Sequence, residues 1–478
     1  MIDTSAYKTA IIDLAVTGQL STEFHADDSV EEITTALPQL SNKRRKLLGQ
    51  SFEYGKQASL PNHWKWIRLG EISSYGDTPT KALFDDVSGD TWILDLEDIK
   101  SGGQIQKKTR VHGKKFIGDK TVFREGQVLY SKLRPYLKKV LVADEDGIST
   151  PELISFDTYG GVIPQYVVYC LLSSFTDRAI EKRSYGIKMP RIDAAFMVNL
   201  PVPLPPVSEQ QFIVDRVQKA FSQIDTIDEL QLQYTDNLTV LKSKLIDGAI
   251  QGKLTEQLPE DGTAEELYHQ IQAEKKALIK TGKIKKEKPL HEITDDEVPF
   301  SIPSNWKWVR FSDLYSLSNG TASRGTQGGK PYPVLRLADL TSGHISTGSI
   351  RNIDLSCDEF ENHKVRAGDL IFIRVNGSRD KVANAFLYTG EEDISYCDHL
   401  FCGHKTSSLF DASYIMMVYQ SNMAKAQIDP EIKTTAGQNT INQKSMAKIV
   451  IPLPPLAEQR RIVQKINELM PLFEKCPQ

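Results

Sequence analysis

The chain has 478 residues, 40% of them hydrophobic and 25% charged, with a formal net charge of -4. That length is too great for one ordinary core and fits two or more domains. The charge balance gives no global argument for nucleic acid, so any DNA-binding face must come from local clustering. No apolar run reaches the roughly 18 residues that a membrane helix requires. The first twenty residues lack a basic start and an apolar centre, so a cytoplasmic protein is expected. Five cysteines, Cys170, Cys357, Cys397, Cys402 and Cys476, imply no disulfide framework.

In chain order, the first element is a helix with apolar residues at Tyr7, Ile11 and Leu14, ending at Gly18. A second helix is predicted over Ser29 to Leu48, followed by the basic run Lys43-Arg-Arg-Lys46 at its end. A Trp-Lys-Trp box, Leu60-Pro-Asn-His-Trp-Lys-Trp-Ile-Arg68, opens the first variable body. Within it Thr121-Val-Phe, Gln127-Val-Leu-Tyr130 and Lys139-Val-Leu-Val142 read as strands, and Pro164 to Lys182 as helical. Strands followed by a helix suggest an α/β or α+β body.

Between Lys100 and Val140 basic residues far outnumber the two acids, Asp119 and Glu125. The candidates for phosphate contact are Lys107, Lys108, Lys132, Arg134 and Lys138, with Lys132 and Arg134 in a turn anchored by Pro135. A later loop, Ser184-Tyr-Gly-Ile-Lys-Met-Pro-Arg-Ile192, adds Lys188 and Arg191. Its Gly186 would allow close approach to a phosphate.

After Pro205-Pro206 a long helix is predicted, with Ser208 as its N-cap. Apolar residues at Ile213, Val217, Ala220, Ile224, Ile227, Leu230, Tyr234, Leu238, Leu241 and Leu245 form a coiled-coil seam. Roughly 40 residues give a rod of about 60 Å. It ends at Gly252, and a further helix, Thr263 to Lys280, precedes the basic linker Lys283-Ile-Lys-Lys-Glu-Lys288.

The second body opens on Ile302-Pro-Ser-Asn-Trp-Lys-Trp-Val-Arg310. Pro333-Val-Leu-Arg-Leu337 and Asp369-Leu-Ile-Phe-Ile-Arg374 read as strands, and Tyr414 to Ala426 as helical. Arg374-Val-Asn-Gly-Ser-Arg-Asp-Lys381 corresponds to the first body's Lys132–Lys138 turn. Its Asn376-Gly377 pair predicts a tight hairpin tip flanked by Arg374, Ser378, Arg379 and Lys381. Thr434-Thr-Ala-Gly-Gln-Asn-Thr-Ile441 adds Gln438 and Asn439 beside Gly437. Arg suits guanine edges, and Asn or Gln suits adenine edges. Cys397, His399, Cys402 and His404 lie close together, but structural zinc usually takes two separated ligand pairs, so no metal is expected.

These blocks repeat in the same order. The two tryptophan boxes match, Pro203-Leu-Pro-Pro-Val-Ser-Glu-Gln210 matches Pro452-Leu-Pro-Pro-Leu-Ala-Glu-Gln459, and Ile11–Leu20 matches Leu245–Leu254. The chain is two copies of one unit, starting at a helix end and stopping after a helix start. The expected parts are 1–59, an N-terminal helical region; 60–205, a first body; 206–301, a central helical region and linker; 302–455, a second body; and 456–478, a C-terminal helix pairing with the N-terminal helices.

These motifs resemble the specificity subunits of type I restriction-modification systems along almost the whole chain. The residues that carry the likeness are Trp64-Lys-Trp, Gly126-Gln-Val-Leu-Tyr-Ser-Lys-Leu-Arg-Pro135, Lys188-Met-Pro-Arg-Ile192 and Leu204-Pro-Pro-Val-Ser-Glu-Gln210. In the second half they are Leu335-Arg-Leu, Gly368-Asp-Leu-Ile-Phe-Ile-Arg-Val-Asn-Gly-Ser378, Ala436-Gly-Gln-Asn439 and Pro452–Arg460. The resemblance implies an α+β protein: two α/β target-recognition domains separated by long antiparallel coiled-coil regions in a pseudo-two-fold repeat. It implies a reader of a bipartite double-stranded DNA site that is not itself an enzyme and carries no cofactor. Two modification subunits would bind S-adenosylmethionine and methylate adenine N6, and restriction subunits would use ATP. The alternative is a coiled-coil scaffold that never reads DNA. A methyltransferase within the chain is disfavoured by the lack of an Asn-Pro-Pro-aromatic motif, and Gly325-Thr-Gln-Gly-Gly-Lys330 lacks the spacing of a phosphate loop.

Overall fold

Proline cannot donate to a sheet ladder, so it is confined to strands with an open side. The proline-rich segments occupy such strands. In the computed structural model Pro201–Leu204 pairs antiparallel with Lys65–Arg68 in a two-stranded sheet. Val450–Leu453 pairs in the same way with Lys307–Arg310. The register is equivalent: Trp66 faces Pro203, and Trp308 faces Pro452. Each body is therefore closed by pairing its first strand with its last. The structure describes residues 2–474 except 55–56, 84–86, 113–117, 184–188, 342, 347, 349 and 436. Two units divide the chain, Met1–Leu232 and Gln233–Gln478.

In the first unit, five short strands run in the order Lys81–Ala82, Lys120–Phe123, Gly147–Ser149, Trp92–Leu94 and Thr109–Arg110. A second sheet has Val128–Ser131 between Val140–Val142 and Leu153–Phe156. Helices Pro164–Leu172 and Ser174–Glu181 replace the single expected helix; Ser173 ends one and caps the next through Thr176 N. In the second unit, four strands run Tyr315–Asn319, Leu400–Lys405, Leu370–Ile373 and Ala385–Leu387. A three-stranded sheet has Lys330–Leu335 between Arg351–Leu355 and Ser395–Tyr396. Ser421 breaks the matching helix pair, Ala412–Gln420 and Asn422–Ile428, as Ser173 does in the first unit.

The long helix runs Val207–Ile250, beginning in the first unit and ending in the second. Its 44 residues give about 66 Å of length. Ser208 is not its N-cap but lies in its first turn, where its N–H and hydroxyl both donate to the Asp28 carboxylate. The expected seam is buried at Ile213, Val217 and Ile224, while Ile227, Leu230, Tyr234 and Leu241 are exposed. In the first unit the helix Thr4–Val16 joins Ile213, Val214 and Val217 in one core through Ile12, Ala15 and Val16. Thr4 Oγ1 also donates to Asp228 at 2.7 Å. In the second unit Ile462 and Ile466, from helix Leu456–Glu474, pack in one core with Ala249 and Ile250. The helix expected over Ser29 to Leu48 is broken into Val30–Thr35 and Asn42–Leu48, because Pro38 cannot continue a helical ladder. Helix Ala264–Lys280 is continuous and capped by Thr263.

A buried carboxylate ties each helix start to its tryptophan box. Glu209 Oε2 accepts from Trp64 Nε1 at 3.0 Å and lies 2.8 Å from His63 Nε2; its Oε1 accepts from Ser21 Oγ at 2.6 Å. Glu458 Oε2 accepts from Trp306 Nε1 at 2.8 Å, and its Oε1 accepts from Thr255 Oγ1 at 3.0 Å and Gln257 Nε2 at 2.6 Å. The neighbouring glutamines act alike. Gln210 Oε1 accepts from Ile163 N and Gln459 Oε1 from Asp411 N, while their amides donate back to Pro205 O and Pro454 O. Gly18 and Gly252 are both left-handed, at φ 76° and 72°, and a Cβ on either would sit within 2.5 Å of Pro61 or Pro303. That close approach explains why both helix ends carry glycine.

Burial raises the Glu458 carboxyl above its ordinary 4.5, against hydrogen bonds from Trp306, Thr255 and Gln257 that lower it. A carboxyl that holds its proton more tightly when folded favours the native state below its unfolded pKa. That advantage disappears as pH climbs through the folded value. Urea unfolding between about pH 4 and 7 should therefore show the wild type losing stability relative to Glu458→Gln as pH rises through this window. Parallel profiles for the two proteins would contradict the assignment.

Candidate nucleic-acid interface

In both units the structure joins the two loops that the sequence singled out. In the first, Arg134 N donates to Pro190 O at 2.7 Å and Ile192 N to Lys132 O at 3.1 Å. In the second, strand Val375–Asn376 pairs with Gln438–Thr440, and Ile441 N donates to Arg374 O at 3.1 Å. The two loops lie far apart in sequence but form one surface on each body.

The first-unit loop turns on a short 3-10 segment, Pro135–Leu137, flanked by Arg134 and Lys138, each at φ 49°. Left-handed backbone costs a non-glycine residue roughly 1 kcal/mol or more. Pro135 and the Arg134–Pro190 bond hold it there. The geometry exposes Arg134, with Tyr136 60% and Met189 53% exposed nearby in the sequence. Neither Tyr136 nor Met189 was among the sequence candidates; an aromatic beside the basic Arg134-Pro motif was the available signal.

The other basic candidates differ. Lys107 is exposed, and neither it nor Arg134 has a carboxylate partner among the described residues. Lys108 lies 2.7 Å from Asp144 and 3.3 Å from Glu145, and over the Trp92 ring. Asp144's hydrogen bond is the main force raising the Lys108 pKa. Lys132 approaches Glu152 at 3.8 Å, Arg191 binds the same carboxylate at 3.0 Å, and Lys138 pairs with Asp177. Part of the basic run is thus paired with acids outside it, most of them later in sequence. Lys114, Lys115, Gly186 and Lys188 lie outside the described residues.

In the second unit Asn376-Gly377 does not make the expected tight turn. Asn376 ends a strand, its Oδ1 accepts from Ser378 N at 2.9 Å, and the 3-10 turn Arg379–Lys381 follows. The segment is a longer excursion between strands Leu370–Ile373 and Ala385–Leu387. Arg379 donates to the carbonyls of Ile432 and Asp429, and so braces the loop. Asn439 is buried: its amide donates to Gly377 O at 2.9 Å, and its Oδ1 accepts from Thr434. It is a clamp between loops rather than an exposed reader of bases. Ser378, Lys381 and Gln438 are exposed. Lys433, also exposed and one strand before Gln438, had not stood out as a candidate. Gly437, at φ 78°, has open space around its Cβ position.

The four Cys/His residues divide between two clusters. Cys402 and His404 stand beside Asp369; Cys397 and His399 flank Asp398. His404 Nδ1 is 2.8 Å from Asp369 Oδ2, and its Nε2 is 2.9 Å from Ser318 Oγ, so both ring nitrogens are already engaged. Burial, with Asp369 adding to it, raises the Cys402 thiol well above its ordinary range.

No helix among the described residues is long and apolar enough to cross a membrane. The family model described as "Type I restriction modification DNA specificity domain" matches twice, at residues 61–233 and 303–474. The type I restriction enzyme EcoAI specificity subunit of Escherichia coli is 25% identical over 97% of this chain and 88% of its own length. The EcoEI specificity subunit of Escherichia coli is 24% identical over 98% and 89%. A chain from a solved type I R-M system has a TM-score of 0.59 at 19% identity, covering 87% of this chain and 93% of its own, and so shares the fold. With both halves matched around the same tryptophan box, loop pair and proline-rich strand, the chain belongs to the type I restriction-modification DNA specificity family.

Proposed function

We propose that each unit reads one part of a bipartite double-stranded DNA site through its joined loops. The observation that carries this is the duplicated loop pairing, Lys132–Ile192 in one unit and Arg374–Ile441 in the other. Arg134, Lys107, Ser378, Lys381 and Gln438 are the side chains best placed for DNA, because they are exposed. Lys108, Lys132, Lys138, Arg191, Asn376, Arg379 and Asn439 shape and brace that surface. A phosphate contact fixes register, and a base-edge contact sets sequence choice. The chain's own role is recognition. Two modification subunits carrying S-adenosylmethionine methylate adenine N6, and ATP-dependent restriction subunits complete the nuclease. The long helices set the unread spacer between the two halves of the site.

The test is long-read mapping of methylated adenines in a host expressing the chain with its modification subunits. A split motif is expected. Arg134→Ala should relax one position of one half, with a cost of about 1–3 kcal/mol if it reads a base. A single unbroken motif would defeat the two-reader assignment.

A further inference from the structure

Beside the joined loops of the second unit lies a cleft of about 450 Å³, lined by the polar side chains Asn319, Arg374, Asn442, Gln443 and Lys444 and by Phe401 and Ile441. Two of these side chains are cationic, three are amides, and none is a carboxylate. Arg374 is fixed by one bond from Nη1 to Asp398 O at 3.2 Å, which leaves its other N–H donors for the cleft. Gln443 Nε2 donates to Asn319 Oδ1 at 2.9 Å and holds the two lining amides together. Lys444 is exposed and has no acidic partner among the described residues. The nearby carboxylate of Asp398 is already engaged by Arg324 at 3.2 Å.

The other copy of the fold supplies an internal control. Ile192 and Ile441 both donate to the residue that follows the strand leading into the loop, Lys132 and Arg374. Asp193 and Asn442 both cap the short helix that follows. By that register, Asn442, Gln443 and Lys444 correspond to Asp193, Ala194 and Ala195. The first unit therefore has an acid and two alanines there, and its Lys132 stands 3.8 Å from Glu152. The same backbone frame is anion-seeking in one copy and not in the other.

We propose that this cleft seats a backbone phosphate of the DNA, clamped by Arg374 and Lys444 and positioned by the Asn319–Gln443 amides, and that among the described residues the first unit has no counterpart to it. The proposal rests on the DNA-reading function above. It assigns the cleft to sequence-independent grip, not to base choice. A recess that carries two cations and no acid favours an anionic ligand, and its place at the edge of the loop pair points to a phosphodiester.

The experiment uses the chain assembled with its modification subunits and duplexes with and without the mapped site, titrated over a range of salt. Lys444→Ala should weaken binding to both duplexes by a similar factor and reduce the salt slope by about 0.9. Lys444→Arg should restore both. The methylated motif should stay the same, and thermal unfolding should not change, because the side chain is exposed. Unchanged affinity and slope would overturn the phosphate anchor, as would an altered base in either half-site. A wild-type complex that binds neither duplex would overturn the DNA-reading function itself, a different result from either of these.

Discussion

Glu209→Ala is expected to destabilise the first unit by about 2–4 kcal/mol, because it strands buried donors. The Glu209 side chain is 1% exposed and serves Trp64, His63 and Ser21 together. Trp64 Nε1–H is a donor that cannot turn into an acceptor, and its indole is 5% exposed. Removing the carboxylate also removes a buried charge, and this relief offsets part of the loss. Glu209→Gln separates the two effects. Its one oxygen can still accept from Trp64, and its amide can donate to Ser21 Oγ, so the cost should fall below about 1 kcal/mol. Urea unfolding of both variants measures the difference. Equal destabilisation by alanine and glutamine would mean that charge, not hydrogen-bond satisfaction, holds the helix start against the box.

What was legible in the sequence was the repeated blocks themselves, and the structure shows the duties they share: Trp64 bonded to Glu209, Gly18 packed against Pro61 and Tyr166 bonded to Pro203 all recur in the second unit. Tyr166 OH donates to Pro203 O and Tyr414 OH to Pro452 O, both at 2.8 Å. The repeat could therefore be read without any knowledge of what filled the bodies. Free charge could not be read from a local window. Lys108, Lys132 and Lys138 lie in a basic stretch, but Asp144, Glu145, Glu152 and Asp177 return to them across strands and helices. Asn439, a candidate contact by residue type, is buried between the loops for a related reason. A residue type that suits adenine also suits two loop carbonyls, and only the pairing of Gln438–Thr440 with Val375–Asn376 decides between them. The break in the second N-terminal helix was visible at Pro38, whereas the Asp28 cap on Ser208 required tertiary contact.

Exchanging residues 60–205 for the equivalent body of another member of the family should replace one half of the methylated motif and leave the other half unchanged. Each mismatched base pair in a specific site typically costs about 1–3 kcal/mol, so a foreign reader loses the old half-site almost completely. The fold allows the exchange because both closing strands, Lys65–Arg68 and Pro201–Leu204, travel with the insert. Other contacts cross the cuts and must be kept by the donor: Arg44 reaches Ser73 O, Asn199 reaches Leu47 O, Ser174 N meets Asp13, and Ile12, Val30 and Ile213 share the core of the body. Trp64 must still reach Glu209, Ile163 N must still meet Gln210, and Pro61 must still pack on Gly18. A donor that keeps these contacts and carries tryptophan and proline at those places should fold; one that lacks only the tryptophan should resemble Glu209→Ala in stability while keeping the new half-motif. Mapping adenine methylation reads the motif, and urea unfolding reads the joint. A change in both halves of the motif would mean that the loops of one unit do not read alone. The internal repeat would then record a duplicated fold without a duplicated function.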